Sequence, residues 1–439
     1  MILTTNMLLK KLIKNLPKEK KNIRVTGLAL HSKKVKRGFI FFAIKGNKLN
    51  GEQFINDAVN RGAKVIVCSK NCQYKNNKVL IIKKYNTRQF LSEISSKFFR
   101  LKPKNIIAVT GTNGKTSVAD LFYQILSLNK IPVATIGTLG TKINRKKFRS
   151  DLTSPDAISL HQTLEKIKKH KVDNVIIETS SHGLHQQRVN NLNFKAGIFT
   201  NFSQDHLDYH KTMQSYLNSK LLLFKNLLNK KKIIISDKLN KEFSILKKIS
   251  IKRKLRLVDI SSIKKKLSNY KNLKLNEFQS KNLSMAIAAA KLCNLKENKI
   301  FHSLKKIKDV EGRLELVRVF PNNIKVYVDF AHTPDALLKS IQALKSTQGE
   351  NISLVFGCGG DRDHKKRPLM AKIASSNCKK IYITDDNPRN ENPKRIRSQL
   401  INNIKNKNRY NIGNRSKAIK QAISKATPDE VILVSGKGH

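Results

Sequence analysis

Short apolar runs recur along the chain, each followed by a polar or glycine-rich stretch and then by a segment of helical spacing. Residues 39–44 and 64–68 read as strands. Residues 53–61 between them read as a short helix closed by Gly62, and 86–99 as a connecting helix broken by Pro103. From Asn105 the alternation becomes regular. Strand 106–110 leads through a glycine loop into an amphipathic helix, 118–128. Strands 133–136, 174–178 and 196–200 follow, with a helix at 157–169. Residues 230–274 are lysine-rich and weakly patterned and read as peripheral elements, and 282–293 as a helix. Beyond Glu311-Gly312-Arg313 come strands 325–330, 353–356, 380–384 and 431–435, with helices 334–344, 369–375 and 394–402.

This pattern predicts an α/β protein of three domains: residues 1–85, a central mostly parallel sheet over 86–311, and a Rossmann-like domain over 312–439. The chain stops at Gly436-Lys437-Gly438-His439, just past a strand. A helix normally follows to cover the sheet, so the third domain reads as truncated.

Composition narrows the classes. With 439 residues and 39% hydrophobic content, two or three cores can form. No run approaches the roughly 18 apolar residues of a membrane span. The first lysines follow the N-terminal apolar run, the reverse of a secretory signal, so a cytoplasmic protein is expected. Five cysteines suit free thiols in a reducing compartment, and Cys68 and Cys72 read as buried thiols at a strand end rather than a zinc site. The net charge of +58 raises the question of nucleic acid. The lysines are spread along the chain, and no interleaved aromatics build a stacking platform. No nucleic-acid partner is expected, and a field of this sign attracts small anionic substrates. A monomer is expected.

The chemistry sits at strand ends. Thr110-Gly111-Thr112-Asn113-Gly114-Lys115-Thr116-Ser117 joins a strand to a helix. Its glycines let backbone N–H groups turn around phosphate oxygens at a helix N-terminus; Lys115 can reach β- and γ-phosphates, and Thr116 can bind Mg²⁺. The common pattern would want a glycine at 109; Val109 makes this a shorter variant. Glu178 ends a later strand, where a Mg²⁺ ligand belongs. Asp205-His206-Leu207-Asp208-Tyr209-His210 could be a metal site, a base cluster or a polar loop, and Lys220 beside an apolar run reads by itself as a snorkelling lysine. Three more strand-end loops follow: Asp329-Phe330-Ala331-His332, Gly357-Cys358-Gly359-Gly360-Asp361-Arg362-Asp363, and Asp385-Asp386-Asn387-Pro388-Arg389. Paired Asp and Arg can clasp a zwitterion, and loops at successive strand ends argue for one shared site.

In this order GTNGKTS, ETSSHGL, TNFSQDHLDYH, EGRLE, DFAHTPDAL, GCGGDRDHKKRP and DDNPR resemble the Mur ligase family over nearly the whole chain. The resemblance implies an N-terminal UDP-binding domain, a central ATPase and a C-terminal domain for the incoming amino acid. It implies that Gly111, Thr112, Asn113, Gly114, Lys115, Thr116 and Ser117 hold ATP, with Asn282, Arg313 and Asp329 on the nucleotide side. It implies one Mg²⁺ on Thr116 and Glu178 and a second on His206 and a carbamylated Lys220, so that Lys115, Glu178, His206 and Lys220 form the catalytic set. Leu30, Ser32, Thr153, Ser154, Ser180, Gln186 and Arg188 match positions that contact a UDP-muramoyl dipeptide. Arg362, Asp386, Asn387, Pro388, Arg389 and Gly436 resemble the version of the site that takes meso-diaminopimelate. The family's chemistry makes an acyl phosphate from ATP and an amide from it.

Two departures stand out. Leu30-His31-Ser32-Lys33 lies where the family has Asp-Ser-Arg, and the glutamate that normally follows Gly-Lys-Gly-His is absent. The rival readings are another Mur or folylpolyglutamate-type ligase, an inactive homologue, and a basic P-loop protein acting on nucleic acid.

Overall fold

The computed structural model describes residues 6–46, 49–149, 152–270 and 275–436, so that Lys437–His439 of the terminal motif lie outside it. The chain packs as two units. One holds residues 1–108, 132–197 and 222–232; the other holds 109–131, 198–221 and 233–439.

In the first unit a parallel four-stranded sheet takes Gly27–Ala29, Phe39–Phe42, Val65–Ser69 and Leu80–Lys84 in that order. The two-residue period of these strands divides their side chains between two cores. Ile40, Phe42, Val65 and Val67 pack with Leu91, Ile94 and Phe98 of helix Thr87–Phe98. Phe41, Ile66 and Cys68 pack with Ile55 and Ala58 of helix Ile55–Asn60. Cys68 and Cys72 are both buried in this second core, as the sequence suggested. The same unit carries Val133–Gly137, paired in parallel with Asn174–Glu178 and antiparallel with Gly140–Ile143. Helix Ala157–Lys169 starts where the Asp156 side chain accepts from Ser159 N.

In the second unit helix Lys115–Leu128 packs against helix Glu277–Lys291, which opens with a capping box between Asn276 and Gln279. The lysine-rich stretch is more ordered than its pattern suggested. Ile233–Ser236 and Arg256–Asp259 form a parallel pair, with helices Phe243–Arg253 and Ser261–Ser268. Their lysines lie on outer faces while Ile234, Ile235, Leu246 and Ile249 are buried, and this is why a window average hid them.

A six-stranded sheet completes the unit, in the order Glu315–Phe320, Ile324–Asp329, Val431–Ser435, Ile352–Phe356, Lys380–Ile383, Arg409–Asn411. Only the first pair is antiparallel. The carboxyl ends of five neighbouring parallel strands therefore meet along one edge, where open α/β sheets bind ligands.

Candidate active site

The phosphate loop depends on its glycines. Gly111 and Gly114 have φ of 146° and 84°. A Cβ on Gly111 would lie 1.9 Å from Thr200 Oγ1, and one on Gly114 would lie 2.5 Å from Asn282 Oδ1. Thr200 Oγ1 donates to Asn113 O at 2.6 Å, and Asn113 N donates to Asn201 Oδ1 at 2.9 Å, so the next strand end props the loop open. Lys115 Nζ donates to Gly111 O (3.0 Å) and Thr112 O (2.8 Å). Arg313 stacks its guanidinium 4.6 Å from the Phe330 ring centroid and donates to Thr116 Oγ1 at 3.0 Å. Asp329 is buried and spent on backbone, accepting from Leu314 N (2.7 Å) and Ala331 N (2.6 Å), which fixes the turn that carries Arg313. Burial pushes the Asp329 carboxyl up, against the opposing pull of Arg313. Asn282 Nδ2 is a buried donor with no partner among the described residues, as a nucleotide contact would require. A cavity of about 290 Å³ opens nearby, lined by Asn201, Asn276, Lys281 and Lys339.

Lys220 does not snorkel. It is 1% exposed, its Nζ donates to Gly111 O at 2.7 Å, and it lies 4.3 Å from the Tyr216 ring centroid. Burial, reinforced by the charge of Lys115, drives its amine well below the usual lysine range. Helix Met213–Leu222 thus delivers Tyr216 and Lys220 one turn apart beneath the loop, with Tyr216 OH 3.2 Å from Thr112 Oγ1.

The polar loop before that helix splits its two histidines. His210 is buried against Tyr209, Tyr216 and Ser219. His206 takes a left-handed backbone (φ 55°) and lies 3.3 Å from Asp205 Oδ2. Asp205, 4% exposed, also faces His332 Nε2 (3.4 Å) and Lys366 Nζ (3.8 Å). Burial alone would raise its carboxyl, but His206, His332 and Lys366 together hold it well below the usual range. Residues 127 and 161 positions downstream thus converge on one carboxylate (332 − 205 and 366 − 205). Gln204 Nε2 donates to Asp363 Oδ2 at 3.0 Å, and Asn113 Nδ2 to Asp335 Oδ2 at 3.1 Å. Tyr216 and Lys366 were not singled out as site residues from sequence; Asp205 stood in the acid–histidine loop and His332 at a strand end, and neither was given a role.

At the sheet edge the loops 357–363 and 385–389 are zipped together. Gly360 N donates to Asn387 O at 2.9 Å, and Arg389 Nη1 donates to Gly360 O at 2.7 Å. A Cβ on Gly357 would lie 2.1 Å from Thr384 O, and one on Gly360 1.8 Å from Pro388 O. These glycines serve close loop approach. Arg362, Asp386, Asn387, Pro388 and Arg389 share this edge with Gly436, whose Cβ would lie 3.5 Å from Asp386 Oδ2. Arg415, unremarked in the sequence, is half-buried near Asp386 and donates to Ser435 O at 2.8 Å.

The first unit carries the remaining residues as one network. Glu178 accepts from Thr138 N (2.9 Å) and Thr138 Oγ1 (3.1 Å), and Thr138 Oγ1 meets Thr153 Oγ1 at 3.1 Å. Ser154 Oγ contacts Glu178 O (2.9 Å) and Ser180 Oγ (3.1 Å). Arg188 donates to Ser154 O (2.7 Å) and Gln186 Oε1 (2.7 Å). Leu30 and His31 line a separate cavity of about 670 Å³ with Lys34, Lys36 and Arg37. Ser32 is buried and bonded to Asp57, whose carboxyl it holds low together with Arg61.

A glycine phosphate loop, in one unit with a sheet edge that carries Arg362, Asp386 and Arg389, is the arrangement expected of an ATP-dependent ligase, and the relatives are of that class. Residues 24–99 match the Mur ligase family catalytic domain, 109–303 the Mur ligase middle domain, and 312–438 the Mur ligase glutamate ligase domain. The chain belongs to the Mur ligase family. It is 38% identical to the UDP-N-acetylmuramoyl-L-alanyl-D-glutamate–2,6-diaminopimelate ligase of Rickettsia bellii over 448 residues, covering 96% of this chain and 92% of that one. It is also 38% identical to the ligase of the same name from Aquifex aeolicus, over 95% of this chain and 89% of that one. A solved diaminopimelate ligase superposes with TM-score 0.68 at 26% identity, over 99% of this chain and 94% of that one. A folylpolyglutamate synthase from Mycobacterium tuberculosis shares the fold alone, with TM-score 0.63 at 17% identity over 80% of this chain and 92% of that one.

Proposed function

We propose that the protein is the ATP-dependent ligase that joins meso-diaminopimelate to UDP-N-acetylmuramoyl-L-alanyl-D-glutamate in the cytoplasm, acting as a monomer. The observation that carries this reading is the convergence, within one unit, of the phosphate loop, the Asp205–His206–His332–Lys366 cluster and the Arg362 and Asp386–Arg389 loops. On this reading residues 1–85 serve the sugar nucleotide, 86–311 ATP and 312–439 the amino acid.

The γ-phosphoryl of ATP goes to the D-glutamyl γ-carboxylate and gives an acyl phosphate. The amine of diaminopimelate then attacks the acyl carbon, and phosphate leaves with the electron pair. Lys115, now on loop carbonyls, turns to the transferring phosphoryl and neutralises its charge. Asn282 Nδ2 and Arg313 orient the nucleotide. The network of Thr153, Ser154, Ser180, Gln186 and Arg188 holds the muramoyl dipeptide, and the 670 Å³ basic cavity receives its uridine diphosphate end, with Lys34, Lys36 and Arg37 in place of the family's usual acidic and arginine pair.

The resemblance assigns Mg²⁺ to Thr116 and His206, which lie in the second unit, and to Glu178, which lies in the first; the hydroxyl and carboxylate are the hard oxygen donors that Mg²⁺ takes. As a free amine Lys220 is no ligand. Its burial favours the neutral amine, the form that adds CO₂ to give a carbamate. When bound, Mg²⁺ neutralises charge between phosphoryl donor and acceptor. Phosphate release from ATP that requires both other substrates tests the reading. Release in the absence of diaminopimelate would oppose it.

A further inference from the structure

Arg367 is the largest fully buried side chain among the described residues, 1% exposed, and nothing in the phosphoryl or amide chemistry uses it. Its guanidinium makes a two-point pair with Glu391: Nη1 to Oε2 and Nη2 to Oε1, both at 2.9 Å. Nη2 also donates to Gly359 O (3.2 Å) and Nη1 to Gln399 Oε1 (2.8 Å) on helix Pro393–Ile401, while Nε is buried with no partner among the described residues. Glu391 in turn accepts from Asp361 N and lies 3.3 Å from His364 Nε2, and its own N–H donates to Pro388 O at 2.9 Å.

One ion pair, buried on the arginine side and half-buried on the glutamate side, therefore ties together three segments. The first is the loop that carries Arg362, the second the loop that carries Asp386 to Arg389, and the third the start of helix Lys366–Asn377. The helix start also places Lys366, which is 5% exposed, 3.8 Å from Asp205. A planar guanidinium with a fixed fork is suited to such a hub, because each donor direction is set once one pair is made. A lysine ammonium has three donors and no fixed fork, so it cannot make the two-point pair with Glu391 and also hold Gly359 and Gln399. The Arg367 pairing also holds the Glu391 carboxyl down at about 2, so it stays ionised throughout the working range.

We propose that the Arg367–Glu391 pair is a positioning device for amino-acid specificity: it sets the spacing between Arg362 and the Asp386–Arg389 loop, and so decides which zwitterion fits between them. The proposal rests on reading those two loops as the diaminopimelate site. Groups that orient the direct contacts of a site typically cost tenfold to a hundredfold in affinity when removed.

The test is steady-state kinetics of the full chain with each substrate varied in turn, on Glu391→Gln, Arg367→Lys and Arg362→Ala. Glu391→Gln is expected to raise KM for diaminopimelate by about tenfold or more. KM for ATP and for the UDP-dipeptide should move less than about twofold, and discrimination against L-lysine should narrow. Arg367→Lys, which keeps the charge and loses the fork, should fall between wild type and Glu391→Gln. Arg362→Ala reports on the underlying site. If it raises KM for diaminopimelate while a folded Glu391→Gln or Arg367→Lys leaves it unchanged, the positioning role is overturned and the site stands. If Arg362→Ala has no effect on it, the site reading falls and this inference with it. If all three KM values rise and thermal stability falls together in both hub variants, the pair is merely structural and the proposal fails. Should Glu391→Gln not fold, Arg367→Lys alone decides by the same split.

Discussion

Replacing Lys220 by methionine should cost activity and not stability. The side chain is 1% exposed, and its Nζ makes one described hydrogen bond, to Gly111 O at 2.7 Å. That carbonyl also accepts from Lys115 Nζ at 3.0 Å, so removing the Lys220 amine leaves no orphaned acceptor. The lost bond is worth about 1 kcal/mol net. Against it stands the burial of an amine next to a second lysine, and exchanging buried charged groups for apolar ones of similar size often stabilises by about 1–4 kcal/mol. The net change should be zero to about +3 kcal/mol, read by calorimetry in CO₂-free buffer without nucleotide.

The pH dependence gives the sign. The folded-state pKa of Lys220 is depressed from 10.5, so its contribution is most favourable above that pH and is lost as pH falls through the folded value. The advantage of Lys220→Met should therefore shrink as pH rises toward 10. Turnover should fall by about 10²–10³-fold, the usual loss when a charge-stabilising group is removed from a phosphoryl site. A lower melting midpoint at neutral pH, or turnover within a few-fold of wild type, would refute the reasoning.

Other expectations follow from the same geometry. Gly114→Ala forces a side chain into a left-handed position against Asn282 and should raise KM for ATP at least tenfold, measured by phosphate release, with little change in KM for diaminopimelate. His161 is fully buried; burial, with Lys102 adding to it, pushes the ring down to about 3 from 6.5. A depressed pKa means stability present above pH 6.5 and lost as pH falls toward 3, about 1.4 kcal/mol of it by pH 5.5. His161→Leu should flatten that acid limb in urea titrations at pH 5.5 and 7.5. The net charge of +58 should make KM for the anionic UDP-dipeptide rise with added salt, more steeply than KM for diaminopimelate; equal slopes would refute steering.

Local signals made much of this legible. Asp156 capping Ala157–Lys169 and Asn86 capping Thr87–Phe98 announce helices whose ends match the sequence reading closely. Strands Asn174–Glu178 and Val431–Ser435 are continuous apolar runs buried on both faces, and their bounds were read without error. The phosphate loop was legible because strand, glycines and helix are contiguous. What escaped was non-local. Nothing near Asp205 in sequence predicts His332 and Lys366 as its partners, and nothing links Arg367 to Glu391, 24 residues on. Gly27–Ala29 is too short for a period to show. The burial of Lys220 depends on a fold that wraps helix Met213–Leu222 under the loop, so its neighbours alone gave the opposite answer. The glycines of 357–360 read as a ligand loop, yet they make room for the chain at 384–388.

The most direct test of the account is phosphate release from ATP plus UDP-N-acetylmuramoyl-L-alanyl-D-glutamate, with meso-diaminopimelate or L-lysine added in turn and the product weighed by mass spectrometry. The account predicts release that requires diaminopimelate, with a sugar nucleotide heavier by one diaminopimelyl residue. Release with neither amino acid, or equal use of L-lysine, would contradict it.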